Sequence, residues 1–326
     1  MSKGENKILG VQYLRGLAAL GVVFCHFGSN LSSYRFLSKV FNFGQTGVYV
    51  FFLISGFIIV YSLVKSNYRY KQFFTFLLKR SIRIDPSYFV VILLTIILFK
   101  LLVFIPSYKG NGFTFIPGQF IAHIFYVVPF TKYEFYNHVF WTLSVEFQFY
   151  LIVGMFFFLS ESRIYRSIFL ILFSLLSLIN WPNSYYLVFN YSPIFSTGIA
   201  LVTFYKNKNW INVILPICFL VLVAFKFGIA ILILLIISSI VILYHDQLIK
   251  PLRFLGDISY SLYLTHTLVL IVCLGLIKRL SIDVNQHQLF WLSVEILIAI
   301  AFAYFFYRLI EKPSINLSKK YFYKKR

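Results

Sequence analysis

The chain has 326 residues, of which 60% are hydrophobic, 21% aromatic and only 12% charged. Soluble domains carry about a quarter charged residues, so this composition excludes a soluble globular protein, a disordered chain and a disulfide scaffold. The net charge of +20 would suit nucleic acid, but in so apolar a chain it indicates orientation in a membrane, and we expect no nucleic-acid partner.

Apolar segments recur along the whole chain at the length of a membrane-spanning helix, which is about 20 residues. The sequence predicts ten spans, near residues 9–29, 46–65, 86–106, 140–160, 166–182, 187–205, 210–225, 228–245, 259–277 and 289–310. Two of them are short, so eight or nine spans are the alternative. Ten spans leave no room for a second soluble domain. We therefore expect residues 1–326 to form a single, all-α transmembrane domain.

The basic residues are distributed unevenly between the connections. With ten spans, both termini and the alternate connections carry 21 lysines and arginines, and the opposite side carries 7. Because cytoplasmic connections are enriched in these residues, the pattern predicts that both termini are cytoplasmic. Most of these cations are expected to be anchors at anionic lipid.

The first predicted span contains both Arg15 and His26. Eleven helical steps return to within about 20° of the same face and rise about 16 Å. One face therefore carries a cation near the inner side and an imidazole near the outer side, and such groups inside a span are candidates for function. The alternative is that Arg15 reaches the inner headgroups and His26 the outer interface.

Ser55 lies in the second predicted span, within a Ser-Gly-Phe segment whose small residues favour a close helix contact. Arg80 and Arg83 precede the third span. Because they are three residues apart, on a helix they would project to neighbouring faces at the inner surface.

The fourth span begins with Trp141, which is typical of an interfacial aromatic belt, and contains Glu146 about five residues further in. An imidazole beside a carboxylate suits general-base catalysis, because the carboxylate fixes the tautomer and stabilises the imidazolium. Glu146 at the depth of His26 would supply that carboxylate. The alternative partner for Glu146 is Thr142, one turn earlier.

His266 and Glu295 lie inside the ninth and tenth predicted spans. For His266 the simpler interpretation is a buried imidazole bonded to a backbone or hydroxyl group. Glu295 would share the outer half of the bilayer with His26, or pair with Arg279 at the rim. No set of histidines, cysteines and carboxylates has the spacing of metal ligands, so we expect no metal.

Six motifs occur along the chain in the order typical of one family. They are Leu14–Leu20 running to His26, Gly44–Phe57, Arg80–Tyr88, Trp141–Leu151, Gly256–His266 and Tyr307–Pro313. Together they resemble the acyltransferase 3 family of integral-membrane acyltransferases. The first fits the family's Arg-x10-His element and the third its RxxR element. One departure is Gln12, which stands where many members have an acidic residue three positions before the arginine.

The resemblance implies that the protein is an O-acyltransferase with ten core helices. It transfers an acyl group, usually acetyl, from cytoplasmic acyl-CoA to a sugar hydroxyl outside the cytoplasm. The acceptors it implies are O-antigen, exopolysaccharide or lipid-linked glycans, which indicates the bacterial inner membrane. Acetyl-CoA is then a substrate, and no permanently bound cofactor is expected. In the family the histidine of the first element is regarded as catalytic, and the arginines of the first element and of the RxxR element are linked to activity and to donor binding.

The chemistry of the residues agrees with those roles. Paired guanidinium groups such as Arg80 and Arg83 suit phosphate recognition, and Arg15 would meet the donor more deeply. His26, with Glu146, would deprotonate the sugar hydroxyl or briefly carry the acyl group, and the sequence leaves both routes open. His266, Ser55, Trp141 and Glu295 remain further site candidates.

Two other functions fit a membrane protein with buried charges. The first is a transporter or flippase for a lipid-linked glycan or acyl group, which predicts inverted repeats or broken helices. The sequence contains neither. The second is a channel or sensor without chemistry, against which the ordered motifs argue.

Overall fold

The computed structural model describes residues 8–28, 31, 33–102, 113–157, 159, 162–245, 247–280, 284 and 287–320. Within these residues every regular element is a helix, which confirms the all-α class. The helices are α1 Leu9–Gly28, α2 Arg35–Asn42, α3 Gly47–Lys65, α4 Phe73–Leu102, α5 Pro117–Ile124, α6 Trp141–Phe156, α7 Arg163–Leu175, α8 Ser192–Asn207, α9 Ile214–Phe227, α10 Ile229–Tyr244, α11 Lys250–Arg279, α12 Gln288–Phe306 and α13 Lys312–Lys320.

Six helical segments in the described part of the chain are long and apolar enough to cross a membrane. They are Leu9–Gly28, Arg35–Lys65, Tyr70–Leu102, His138–Phe156, Lys250–Arg279 and Gln288–Lys320. Two shorter apolar segments, Ile211–Phe227 and Ile229–Tyr244, coincide with two further predicted spans. The fold is that of a polytopic membrane protein, while ten spans and cytoplasmic termini remain predictions.

Helices α1 and α11 lie side by side and run in the same direction. Gly16 of α1 meets Gly256 of α11, where a methyl group on either residue would overlap the opposite helix. His26 and His266 form a second contact of the same pair, ten residues further along each helix. Ten residues rise about 15 Å, so the two helices stay in register between the contacts. We call the two ends of the bundle the Leu9 end and the His26 end, after α1.

Helices α3 and α8 also approach closely, through glycine. A methyl group at Gly56 would overlap the carbonyl of Phe195, and one at Gly198 would overlap the carbonyl of Leu53. Small residues let two helix backbones approach to this distance. The close contact predicted for the Ser55–Phe57 segment is therefore present.

Helix α4 is longer than the predicted span near residues 86–106. It begins at Phe73 and continues through Pro86, and residues 103–106 lie outside the described residues. The predicted span began only after the basic residues, because hydropathy places charged residues outside a span. Arg80 and Arg83 instead line a cavity inside the protein, so the helix can include them. Both arginines are thus within the helix, although we placed them before the span.

Candidate active site

A cavity of about 460 Å³ opens between α1, α3, α4, α6, α11 and α13. This volume lies within the range of about 300–1,000 Å³ found for small-molecule sites. Its described lining includes four of the predicted site residues with charged side chains: Arg15, Arg80, Arg83 and Glu146. We refer to it as the donor cavity, after the role that the resemblance implies for its arginines.

The donor cavity is electropositive. Six basic and three acidic residues occur in its described lining: Arg15, Lys65, Arg80, Arg83, Lys312 and Lys319 against Glu146, Asp257 and Glu311. Lys65 ends α3 and Lys319 lies near the end of α13, so part of this positive charge lies at the Leu9 end. An excess of cations inside a low-dielectric cavity favours an anionic ligand.

Glu146 is held by a serine across the cavity. The hydroxyl of Ser55 donates a hydrogen bond of 2.6 Å to Oε1 of Glu146, and the hydroxyl of Tyr150 also bonds to this carboxylate. The alternative partner Thr142 bonds elsewhere, to the carbonyl of Val139. Two predicted site residues, Ser55 and Glu146, are therefore in direct contact.

Arg15 faces the cavity and not the lipid headgroups. Its electrostatic neighbours include Arg83, Glu311 and Glu146. The acidic residue that is absent at Gln12 is thus replaced by carboxylates from other helices. This arrangement sets two guanidinium groups, Arg15 and Arg83, close together on facing helices.

Glu311 is a site residue that the sequence interpretation missed. It was assigned to the connection after the tenth span, but it is 3% exposed and lies in a π-helical turn, Tyr307–Glu311. Its Oε2 accepts hydrogen bonds from the hydroxyl of Ser261 at 2.5 Å and from the Ser261 backbone N–H at 3.1 Å. The π turn continues the helix past the apolar run, and this keeps Glu311 inside the bundle. Its place in the Tyr307–Pro313 motif was the available signal.

His26 and His266 form a pair at the other end of the α1–α11 contact. Their ring centroids are 5.1 Å apart. His266 is fully buried, and its Nδ1 lies 2.7 Å from the carbonyl of Tyr263. A carbonyl only accepts, so Nδ1 carries the proton and Nε2 keeps its lone pair. Nε2 has no hydrogen-bond partner among the described residues. The backbone bond predicted for His266 is present, and it fixes the tautomer.

His26 and Glu146 have different neighbours, although we expected them to be paired. The hydroxyl of Tyr263, one turn before His266, is 2.8 Å from that of Thr142, and Glu146 is one further turn towards the Leu9 end. One helical turn on α11 and one on α6 therefore separate Glu146 from the histidine pair, a distance on the order of 10 Å along the bundle. Tyr263 lines the donor cavity and its ring is 6.0 Å from that of His266. It therefore connects the cavity to the histidines.

Trp141 and Glu295 lie outside the described lining of the donor cavity. Trp141 is only 6% exposed and packs on Tyr185 at 4.5 Å, so it is part of an internal aromatic cluster and not of a lipid-facing belt. Glu295 is buried on α12, where Cys273 of α11 is a neighbour. Neither contact supports a direct role in the reaction.

His138 is a second residue that the sequence interpretation missed. It is exposed, and it lies close enough to His26 for the two rings to interact electrostatically. The preceding residue fixes this turn, because the side-chain amide of Asn137 donates to the hydroxyl of Thr267 at 2.6 Å. Sequence spacing gave no signal for this contact, which joins residues far apart in the chain.

His123 has a structural role. It is fully buried, its Nδ1 lies 2.8 Å from the carbonyl of Gln119, and its Nε2 accepts from the backbone N–H of Tyr136 at 3.0 Å. Its ring also stacks on that of Tyr136 at 4.3 Å. Both ring nitrogens are satisfied by the backbone, so the histidine locks the segment before α6.

We expect His123 to make the fold sensitive to acid. Burial lowers the pKa of His123 to about 4, against about 6.5 in an unfolded chain. The stability from neutral His123 is complete above about pH 6.5 and is lost as the pH falls towards 4, because only the unfolded state binds the proton there. The free energy of unfolding, measured by thermal unfolding between these pH values, should change more steeply with pH in the wild type than in His123→Gln. The difference in slope should be up to about 1.4 kcal/mol per pH unit. Equal slopes would contradict this.

The comparisons with known proteins give one match. The model of a family described as an acyltransferase domain, Acyl_transf_3, matches residues 8–308. No curated protein and no solved structure matches the chain. The matched region contains α1 to α12, and therefore the histidine pair and the part of the donor cavity that precedes Glu311.

Proposed function

The chain belongs to the acyltransferase 3 family, and from this premise we propose that it is a membrane O-acetyltransferase of surface polysaccharide. It takes an acetyl group from cytoplasmic acetyl-CoA and transfers it to a sugar hydroxyl on the outer side of the bacterial inner membrane. The observation that carries the proposal is the arginine-lined donor cavity, which reaches Tyr263, one turn from the His26–His266 pair.

The donor cavity suits the charge of acetyl-CoA. Its phosphates would enter at the Leu9 end, where Lys65 and Lys319 line the cavity, and Arg80 and Arg83 would bind them. Arg83 lies near Arg15, and two guanidinium groups can share one phosphate or pyrophosphate through charge-assisted hydrogen bonds. Before the donor binds, Glu311 and Glu146 offset the charge of Arg15. This assignment makes the Leu9 end cytoplasmic, in agreement with the distribution of basic residues.

His26 would act as the base at the opposite end. In direct transfer it takes the proton from the sugar hydroxyl while the hydroxyl oxygen attacks the thioester carbonyl and the thiolate of CoA leaves. In the alternative, His26 attacks the thioester carbonyl first and the thiolate of CoA leaves; the sugar hydroxyl oxygen then takes the acetyl group, and the imidazole that is released takes the hydroxyl proton. Because Glu146 is separated from the histidine pair, we assign it a role in the wall of the donor cavity and no direct contact with His26.

His266 would position His26. Its Nδ1 proton is committed to the carbonyl of Tyr263, so Nε2 offers an acceptor within the pair. No described residue donates to this Nε2 in the structure, so the role requires His26 to turn one N–H towards it, which leaves the other nitrogen of His26 as the base. The interaction thereby selects a tautomer, as a carboxylate does in other histidine-dependent sites.

We expect His266→Gln to lower kcat by about tenfold to a hundredfold, by analogy with the partners that orient metal-ligating histidines. The KM for acetyl-CoA should stay unchanged, and the pH–rate profile should shift. His266→Leu lacks any acceptor and should be slower than His266→Gln. Equal losses in the two variants with an unshifted profile would indicate a purely structural residue.

We expect Arg83→Gln to raise the KM for acetyl-CoA by about tenfold to a hundredfold, because a hydrogen bond to a charged group is worth about 1.5–3 kcal/mol. The kcat at saturating donor should change little. Arg253→Gln is the matched control, since Arg253 is exposed on α11 outside the described cavity lining. A fall in kcat at constant KM would contradict a donor-binding role.

The reaction itself is tested on the glycan. Mass spectrometry and NMR of the surface polysaccharide are compared between strains with and without the gene. We expect the deletion to remove one acetyl group per modified sugar and the wild-type gene to restore it. Polysaccharide lost from the surface with its acetylation unchanged would instead favour a transporter of lipid-linked glycan.

A further inference from the structure

A second cavity, of about 510 Å³, lies at the Leu9 end and is separate from the donor cavity. It is bounded by the last turns of α3, α6 and α8, by the first turns of α7, and by the residues next to them. Its described lining includes Leu63, Arg69, Phe156, Arg166, Thr203 and Lys206. We call it the lateral cavity.

Helix α3 separates the two cavities and lines each with a different face. Near its end, α3 presents Ser55, Ile58, Ile59, Ser62 and Lys65 to the donor cavity, and it presents Val60, Leu63 and Val64 to the lateral cavity. Both sets follow the spacing of three and four residues that defines one helix face. A ligand in the lateral cavity would therefore press on the back of the helix that carries Ser55.

The lateral cavity combines apolar walls with cations. Aliphatic and aromatic side chains form most of the wall, and three basic residues, Arg69, Arg166 and Lys206, share the lining with them. Neither aspartate nor glutamate occurs in its described lining. A ligand that fits must therefore carry both hydrocarbon and negative charge.

The cavity is accessible from outside the bundle. Phe156 on its wall is 39% exposed, and Arg69 and Lys206 are exposed beside it. Arg69 follows α3 and Lys206 lies in the last turn of α8. In a polytopic membrane protein, helix ends of this kind meet the lipid headgroups, while the apolar wall below them meets the acyl chains.

We propose that the lateral cavity binds an anionic phospholipid. The phosphate contacts Arg69, Arg166 and Lys206, and an acyl chain lies against the apolar wall of α3 and α8. The proposal requires only that the chain spans a membrane, and it is independent of the acetyl transfer proposed above. The bound lipid would support α3 from behind and keep Ser55 in contact with Glu146.

Lipid binding can be measured on the purified full-length protein by native mass spectrometry, with phosphatidylglycerol or phosphatidylcholine added. We expect phosphatidylglycerol to bind more tightly. Replacing Arg69, Arg166 and Lys206 by glutamine should weaken it about fivefold for each cation and roughly a hundredfold in the triple variant, at about 1 kcal/mol per cation. The matched triple variant of Lys71, Lys250 and Arg253, all exposed at the Leu9 end, should bind normally.

A second variant distinguishes lipid binding inside the lateral cavity from lipid binding to a charged surface. Thr203→Trp fills the lateral cavity and leaves its cations, so it should also lose phosphatidylglycerol. Retained binding in Thr203→Trp, or equal losses in the two triple variants, would overturn the proposal. Inorganic phosphate that competes as strongly as the lipid would identify a phosphate site and not a lipid site.

A measurement on the wild type guards against variants that fail to fold. Phosphatidylglycerol with a photoreactive acyl chain should label peptides of α3, α7 or α8 that line the lateral cavity. Labelling confined to other helices would overturn the proposal. The readouts are binding and labelling, so their failure is distinguishable from a failure of the acetyl-transfer assignment.

Discussion

Replacing His26 with alanine should lower acetyl transfer at least about a hundredfold, the lower bound expected when a positioned general base is lost. The protein should still insert and accumulate, because His26 is half-buried at the end of α1 and takes no part in the glycine contact that joins α1 to α11. The measurement is the acetyl content of the polysaccharide, with membrane-inserted protein quantified in the same cells.

The control for His26 is His287→Ala. His287 is exposed next to the start of α12, so its loss should leave acetylation unchanged. Retained acetylation in the His26 variant would remove His26 from the reaction. If the His26→Ala protein is lost from the membrane, its activity is uninformative. The His26→Gln variant, whose side chain is closer to histidine in size and polarity, is then measured in its place.

A single methyl group at Gly256 should separate α1 from α11. The Cβ of alanine would overlap the backbone carbonyl of Gln12, and neither helix can yield without breaking hydrogen bonds. Overpacking of this kind costs about 1–3 kcal/mol. We expect Gly256→Ala to unfold at a lower temperature in detergent and to lose activity, because the same two helices carry His26 and His266.

The matched control for Gly256 lies on the same helix. A Cβ added at Gly275 would meet no other atom within 4 Å. Gly275→Ala should therefore be neutral or raise the stability by up to about 1 kcal/mol through helix propensity. A similar loss of stability in both variants would mean that the glycines act through helix flexibility. A normal unfolding temperature for Gly256→Ala would show that the α1–α11 contact tolerates a wider spacing.

The sequence alone predicted the class of fold. Long apolar runs with scarce charge can be stable only as helices that satisfy their own backbone hydrogen bonds in lipid. It also predicted that Ser55 is part of a close helix contact, and it placed Arg80 and Arg83 before the third span. It misjudged the start of α4 and the position of Glu311, because hydropathy treats a charged residue as external even where protein surrounds it.

The pairing of the site residues required the tertiary structure. Spacing along one helix set Arg15 and His26 on a common face, but it carried no information on the partner helix. Only the packing of α1 against α11 shows that His26 meets His266, and only the packing of α3 against α6 brings Ser55 to Glu146.

Composition and hydropathy were therefore enough to assign the chain to a membrane, to predict its helices and to identify the few polar groups inside its spans, since each follows from the cost of charge in hydrocarbon. Which of these groups share one cavity became visible only in the packed bundle. Such contacts join residues far apart in the chain, as with Ser55 and Glu146, and they depend on the register in which helices pack. That register is set by small residues such as Gly16 and Gly256, whose partners no local pattern identifies.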